Sequence, residues 1–170
     1  MIAKPQQGEY NPFYDTYIGK IPEGDLIAVL ERQQEETVKL LGELPEDKHL
    51  YRYAPDKWTL KEVLGHIIDN ERIMSFRMMC IAYGEQKPLP GYDQDEYMAS
   101  DPYAGCTLPQ LLEEYKLVRQ ATIALLKRLP EKLLANRGTA NGGPASARAF
   151  AYIIAGHELH HMSIIKERYL

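Results

Sequence analysis

Trp58-Thr59-Leu60-Lys61-Glu62-Val63-Leu64-Gly65-His66-Ile67-Ile68-Asp69 is the stretch that decides the fold. Thr59 and Glu62 stand three apart, the spacing of a capping box in which each side chain satisfies the other residue's free backbone N–H. Trp58 before the cap and Val63 after it are placed to form a hydrophobic staple. Apolar residues then recur at helical intervals through Val63, Leu64, Ile67, Ile68, Ile73, Met74 and Phe76. This predicts a helix that continues to Tyr83 and is closed by Gly84. His66 lies on its apolar stripe, where a lone histidine is more often a hydrogen-bonded core residue than a ligand.

Three more long helices are predicted around this one. Gly24–Leu44 carries Leu26, Ile27, Leu30, Val38, Leu40 and Leu41 at helical spacing and is stopped by Pro45. Thr107 with Gln110 caps the next, with Pro109 in its permissive first turn, and it runs to Leu129 before Pro130. The last covers Ala145 to Leu170, capped near Ala145–Ser146. Residues 85–106, with Pro88, Pro90, Gly91, Pro102 and Gly105, read as a long loop with a short helical turn around Asp93–Met98. Asn141-Gly142-Gly143-Pro144 reads as a loop, and no segment reads as a sheet strand. Four amphipathic helices that must bury their apolar faces imply an all-α four-helix bundle, one domain over residues 1–170. The long loop after the second helix leaves room for a crossover in place of strict up-down-up-down order.

The chain has 170 residues and a formal net charge of −4 with mixed signs along its length. That argues against a nucleic-acid partner, which needs a concentrated basic surface. No uncharged run approaches the roughly 20 apolar residues of a membrane span. The start Met1-Ile2-Ala3-Lys4-Pro5 has no apolar signal core, so a cytoplasmic location is expected. Cys80 and Cys106 are the only cysteines and read as reduced thiols. A small-molecule partner is expected. A homodimer is conceivable through an exposed helix face, though no residue pattern argues for one.

Gly156-His157-Glu158-Leu159-His160-His161 holds three of the five histidines. Positions four apart share a helix face, so His157 and His161 can address one atom. Two imidazoles at that spacing are half of a divalent metal site. Candidates for a third ligand are His49, His66, His160 and nearby carboxylates. His66 is the best of them, because bundle metal sites are built from inward side chains on facing helices. His160 lies about 60° from His157 on the side away from His161. It reads as a surface residue or a neighbour of the ligands, and it could replace His161. His49 falls in a polar loop and reads as solvent exposed. His157-Glu158-x-x-His161 also matches the zinc-peptidase pattern, in which the glutamate is a general base. Only nine residues follow His161, which leaves little room for the usual downstream ligand. Glu158 reads instead as a solvated residue or a support for the ligands, with a base role left open. Cys80 lies about 21 Å along the helix from His66, too far to share an ion.

Residues Tyr53-Ala54-Pro55-Asp56-Lys57-Trp58 running into Thr59–Asp69, together with Gly156–His161, resemble the helix-entry and last-helix motifs of DinB-like proteins. Met78 to Asp95, with Pro88, Gly91, Tyr92 and Asp93, is similar to the branch that contains the bacillithiol transferases. The resemblance spans nearly the whole chain. It implies a four-helix bundle with one divalent metal ion held by His66, His157 and His161. Members of this superfamily include thiol-dependent S-transferases and a mycothiol-dependent isomerase.

A three-histidine site adds no ligand charge, so a bound ion stays strongly Lewis acidic. Zinc or nickel heads the expectation, with iron and manganese also compatible with imidazole. A low-molecular-weight thiol of the bacillithiol type is the expected co-substrate, attacking an electrophilic carbon as thiolate. Water in its place would give hydrolysis of a small ester or amide. A non-catalytic, metal-stabilised stress-related bundle is the alternative, with a closed site and a fourth protein ligand such as His160, Glu62 or Asp69. Asp69 and Asn70 are candidates to orient His66 or a metal-bound water. Arg72, Arg77, Tyr92 and Tyr152 are candidates to orient a thiol's carboxylates.

Overall fold

A computed structural model describes residues 1–170. A 3-10 turn (Pro12–Tyr14) leads into α1 (Asp15–Ile18), α2 (Leu26–Gly42), α3 (Glu46–His49), α4 (Leu60–Ala82) and α5 (Gln94–Ala99). There follow α6 (Leu108–Arg128), α7 (Glu131–Leu134), β1 (Arg137–Ala140), β2 (Gly143–Ser146) and α8 (Ala147–Arg168). Each long helix starts on a side-chain acceptor. Asp25 takes the Ile27 N–H, Thr59 that of Glu62, Thr107 that of Gln110 and Ser146 that of Ala149. Both anticipated capping boxes form. No helix is long and apolar enough to cross a membrane.

The four long helices make a bundle in which α4 packs on α8 and α6, and α2 on α6 and α8. Paired contacts fix the directions. Lys61–Cys106, Glu71–Arg119 and Tyr83–Arg128 advance together along α4 and α6, which are therefore parallel. Tyr169 meets Trp58 at one end and Asn136 meets Ala82 at the other, so α4 and α8 are antiparallel. Gln33–Ala155 and Thr37–Glu158 make α2 and α8 parallel. The order is up-down-down-up. A parallel α4–α6 pair obliges residues 83–107 to return along α4, about 35 Å at 1.5 Å per residue. This is the crossover for which the long loop left room, and α5 lies within it.

One feature departs from the expected all-helical content. Residues 137–146 form an antiparallel hairpin, with Arg137 opposite Ser146 and Ala140 opposite Gly143. Its turn residues Asn141 and Gly142 have φ of 49° and 71°, the left-handed pair of a two-residue hairpin turn. The strand residues are mostly small or polar, so only the Asn-Gly dipeptide carried the signal. Leu89 of the crossover pairs with this hairpin through Thr139 O at 2.9 Å and the Asn141 N–H at 3.0 Å.

The interior divides into two hydrophobic clusters. The larger surrounds Leu30, Met78, Phe150 and Ile154, and the smaller surrounds Leu64, Leu111, Met162 and Ile165. Buried polar groups from all four long helices meet around Arg119, which is wholly buried. Its guanidinium grips Glu71 through Nε (2.9 Å) and Nη2 (2.8 Å) and donates also to Glu158 and to Leu30 O. Burial alone would lower the Arg119 pKa, but Glu158 and Glu71 outweigh it and hold it well above the ordinary value. Removing one partner of a buried ion cluster strands the others without compensation. Arg119→Met is therefore expected to lower the unfolding free energy by about 3–5 kcal/mol in urea titrations.

Candidate metal centre

His66 projects from the second turn of α4 and His157 and His161 from successive turns of α8. Because α4 and α8 pack antiparallel, the i,i+4 pair on one meets the single histidine on the other. The Nε2 of His157 lies 3.0 Å from that of His66 and 3.1 Å from that of His161. One ligand atom from each of the three falls within 4.8 Å of the others. His66 and His157 are buried and His161 is half-buried. The Trp58 ring covers His66 at 4.9 Å between centroids.

The glycines that precede the histidines create this crowding. A Cβ on Gly65 would stand 2.4 Å from the Tyr103 ring, and one on Gly156 would stand 2.2 Å from Tyr17 O. The crossover thus rests against α4 beside His66, and α1 against α8 beside His157. Sequence reading attached no role to Tyr17, Tyr103 or the neighbouring Tyr14, although the aromatic run Tyr10–Tyr17 was a visible signal. The Tyr17 ring packs edge-on to His157 at 5.5 Å.

Burial sets the charge of the triad. It pushes the His66 pKa from 6.5 down to about 4. The His161 pKa falls to about 3 through burial and the neighbouring histidines, and burial carries that of His157 well below the ordinary range. At neutral pH all three rings are uncharged and offer lone pairs. Nitrogens on one zinc-sized ion, at about 2.0–2.1 Å each, lie roughly 3–3.5 Å apart. The donor type, protonation state and spacing of the three rings fit a divalent ion.

Other expected site residues fall elsewhere. Glu158 is not solvated and cannot serve as a base at the triad. Its Oε1 accepts from Thr37 (2.6 Å) and Tyr115 (2.7 Å), and its Oε2 from Arg119. This removes the peptidase reading. Asp69 does not orient His66: it accepts from Tyr103 at 2.5 Å and pairs with Arg72, which also holds Glu114 on the exposed flank. Glu62 is held by its capping box, and His160 packs half-buried against Tyr17 and His161 outside the triad. No fourth protein ligand accompanies the three histidines. His49 is half-buried on α3, with its Nε2 3.3 Å from Leu44 O, rather than exposed in a loop. Tyr152 is buried and donates to Ile2 O. Cys80 and Cys106 are free and half-buried, and burial raises the Cys80 pKa.

Asn70, Arg77 and Tyr92 do line a cavity of about 700 Å³ that reaches His157. A second cavity, of about 400 Å³, reaches His161 beside Trp58. Residues of α5 line both, Gln94 and Glu96 the first and Asp95 the second.

Fold and triad together define a helical bundle with a candidate three-histidine metal centre. The DinB superfamily profile matches residues 29–165, and the chain belongs to that superfamily. Among solved structures it is similar to YfiT from Bacillus subtilis, described as a probable metal-dependent hydrolase with an unusual four-helix bundle topology. That likeness has a TM-score of 0.76 at 17% identity over 97% of this chain and 90% of that one. It is also similar to a DinB-like protein, YjoA, from Bacillus subtilis. There the TM-score is 0.62 at 18% identity, covering 86% of this chain and 90% of that one. At these identities the likeness establishes fold alone. No curated protein matches the sequence.

Two outcomes follow from the triad. Elemental analysis should find about one divalent ion per chain. His66→Ala, His157→Ala and His161→Ala should each lose it while the helical circular-dichroism signal persists. In the metal-free protein, histidines with lowered folded pKa values destabilise the native state as pH falls, because the unfolded chain takes up protons first. Stability should therefore decline below pH 6.5, with His66 contributing down to about pH 4 and His161 and His157 to lower pH still. His66→Gln should make that decline shallower, and the remainder belongs to His157 and His161, in melts recorded across the range.

Proposed function

We propose that the protein is a metal-dependent enzyme that joins a low-molecular-weight thiol of the bacillithiol type to a small electrophile. The observation that carries this reading is the half-open triad: three neutral imidazoles, no fourth protein ligand, and a cavity of about 700 Å³ against His157. A divalent ion held there, zinc or nickel foremost, supplies Lewis acidity that lowers the pKa of a thiol or water reaching it. The chain's own part is to hold that centre rigid and largely dry and to bind the reactants beside it. Trp58, Tyr17 and Tyr103 limit access of water, and the cavity accepts the organic body of the substrate. None of Glu62, Asp69 and Glu158 is free to take a proton at the triad. That favours a nucleophile which, once acidified, needs no carboxylate base. A cytoplasmic setting, where small thiols stay reduced, belongs to the same reading.

Water as the nucleophile is the second reading, supported by the description of YfiT as a probable metal-dependent hydrolase. A closed, purely structural site would call for a fourth protein ligand, and the committed side chains argue against one.

The test uses protein loaded with Zn²⁺ or Ni²⁺, a bimane electrophile and either bacillithiol or cysteine. Thioether should form faster than in the protein-free control, and His157→Ala should bring the rate back toward that control. Hydrolysis of p-nitrophenyl acetate without thiol would instead assign water. Activity in neither assay would sink both readings.

A further inference from the structure

The larger cavity contains two buried groups that the fold leaves incompletely partnered. Arg77 of α4 is 3% exposed, and neither of its hydrogen bonds is to a carboxylate. Its guanidinium donates to Pro90 O at 2.6 Å, makes only a 3.7 Å contact to the Met74 sulfur, and faces the Tyr92 ring at 5.8 Å. Asn70, seven residues earlier on α4 and 5% exposed, gives its amide N–H to the Tyr92 hydroxyl at 2.7 Å. Its Oδ1 is the one buried side-chain oxygen or nitrogen with no hydrogen-bond partner.

A buried guanidinium without an anion and a buried acceptor without a donor are both costly unless something fills them. Arg119 shows what this chain does with a buried arginine that serves packing: it is saturated by Glu71 and Glu158. Arg77 has no such partner, and it borders a space large enough for a small molecule. Asn70 stands between it and the triad, because His66, Asn70 and Arg77 follow one another along nearly the same face of α4.

We infer that the cavity is a binding site for a small carboxylate. The anion sits on Arg77, and an N–H or O–H donor of the same molecule meets Asn70 Oδ1 on the side toward the histidines. A single carboxylate group suits the site, whatever other charge the molecule carries beyond it. One guanidinium faces it, while Asp93 and Glu96 at the same cavity are exposed and acidic and repel a doubly charged group such as phosphate more strongly than one carboxylate. Tyr92 spans both groups, and burial raises its pKa, so its hydroxyl stays protonated and able to donate. The inference names the substrate class for the activity proposed above and rests on that reading for its purpose, but not for its test.

The test is a titration of the metal-free protein, followed through the Arg77 Nε–H resonance by ¹⁵N NMR. The probes are N-acetylglycine, its neutral isostere N-acetylglycinamide, and inorganic phosphate at equal ionic strength. N-acetylglycine should shift the resonance saturably and bind about tenfold or more tightly than the amide, the scale of a charge-assisted hydrogen bond. The Arg77→Gln variant, checked for a native spectrum, should lose that preference. Equal binding of acid and amide, no saturable shift with the acid, or tighter binding of phosphate would each overturn the carboxylate site. The wild-type comparison stands even if the variant fails to fold. Because no metal or turnover enters, its failure leaves the triad and its activity untouched, and an inactive enzyme leaves the carboxylate site untouched.

Discussion

Arg119 is the point on which the bundle turns. A guanidinium at full burial is tolerable only if carboxylates from other helices reach it, and here Glu71 and Glu158 do so. Those bonds fix how far α4 and α8 are rotated about their own axes. Glu158 follows His157 directly, about 100° round the helix. Once Glu158 is locked on Arg119, His157 and His161 have no choice but to face α4. Glu71 lies about 140° from His66 on α4 and acts in the same way there. The polar centre thus aims the histidines without touching them. Thr37, Tyr115 and Gln33 complete it, so all four long helices contribute.

Around that centre the chain closes by omission of side chains. Gly65 and Gly156 are needed not for unusual backbone angles but for the room that a missing Cβ leaves. Tyr103 and Tyr17 occupy that room, bringing the crossover and the N-terminal segment over the triad. Asp69 fits the same plan. By accepting from Tyr103 it anchors the crossover beside His66, a structural task that the sequence alone suggested was one of metal support.

The electrostatic design is consistent across the site. Three uncharged imidazoles leave a bound ion's charge unneutralised by the protein, and Arg77 adds a further buried positive charge along the same cavity. Both features favour reactants that arrive carrying negative charge. The superfamily fold by itself selects no chemistry. What the site can do is set by these side chains rather than by the bundle.

Much of the helical framework was legible in residues 59–69, in the caps at Thr107 and Ser146, and in the apolar spacing of each helix. Capping and helical periodicity are local properties, set by residues three or four apart. The i,i+4 pair His157–His161 was legible for the same reason, and the short helix near Asp93–Met98 announced itself through its aspartate cap. The hairpin was missed because its strands carry almost no β signal beyond Asn141-Gly142. Glu158, Asp69 and Tyr152 were misjudged because their partners lie far away in sequence: Thr37 and Arg119, Tyr103, and Ile2. What the sequence by itself determined was which segments become helices and which histidines can share a face. Tertiary structure alone decided the up-down-down-up order, the buried role of Glu158 and the cavity at Arg77, because long-range packing selects which polar groups find partners and which remain open.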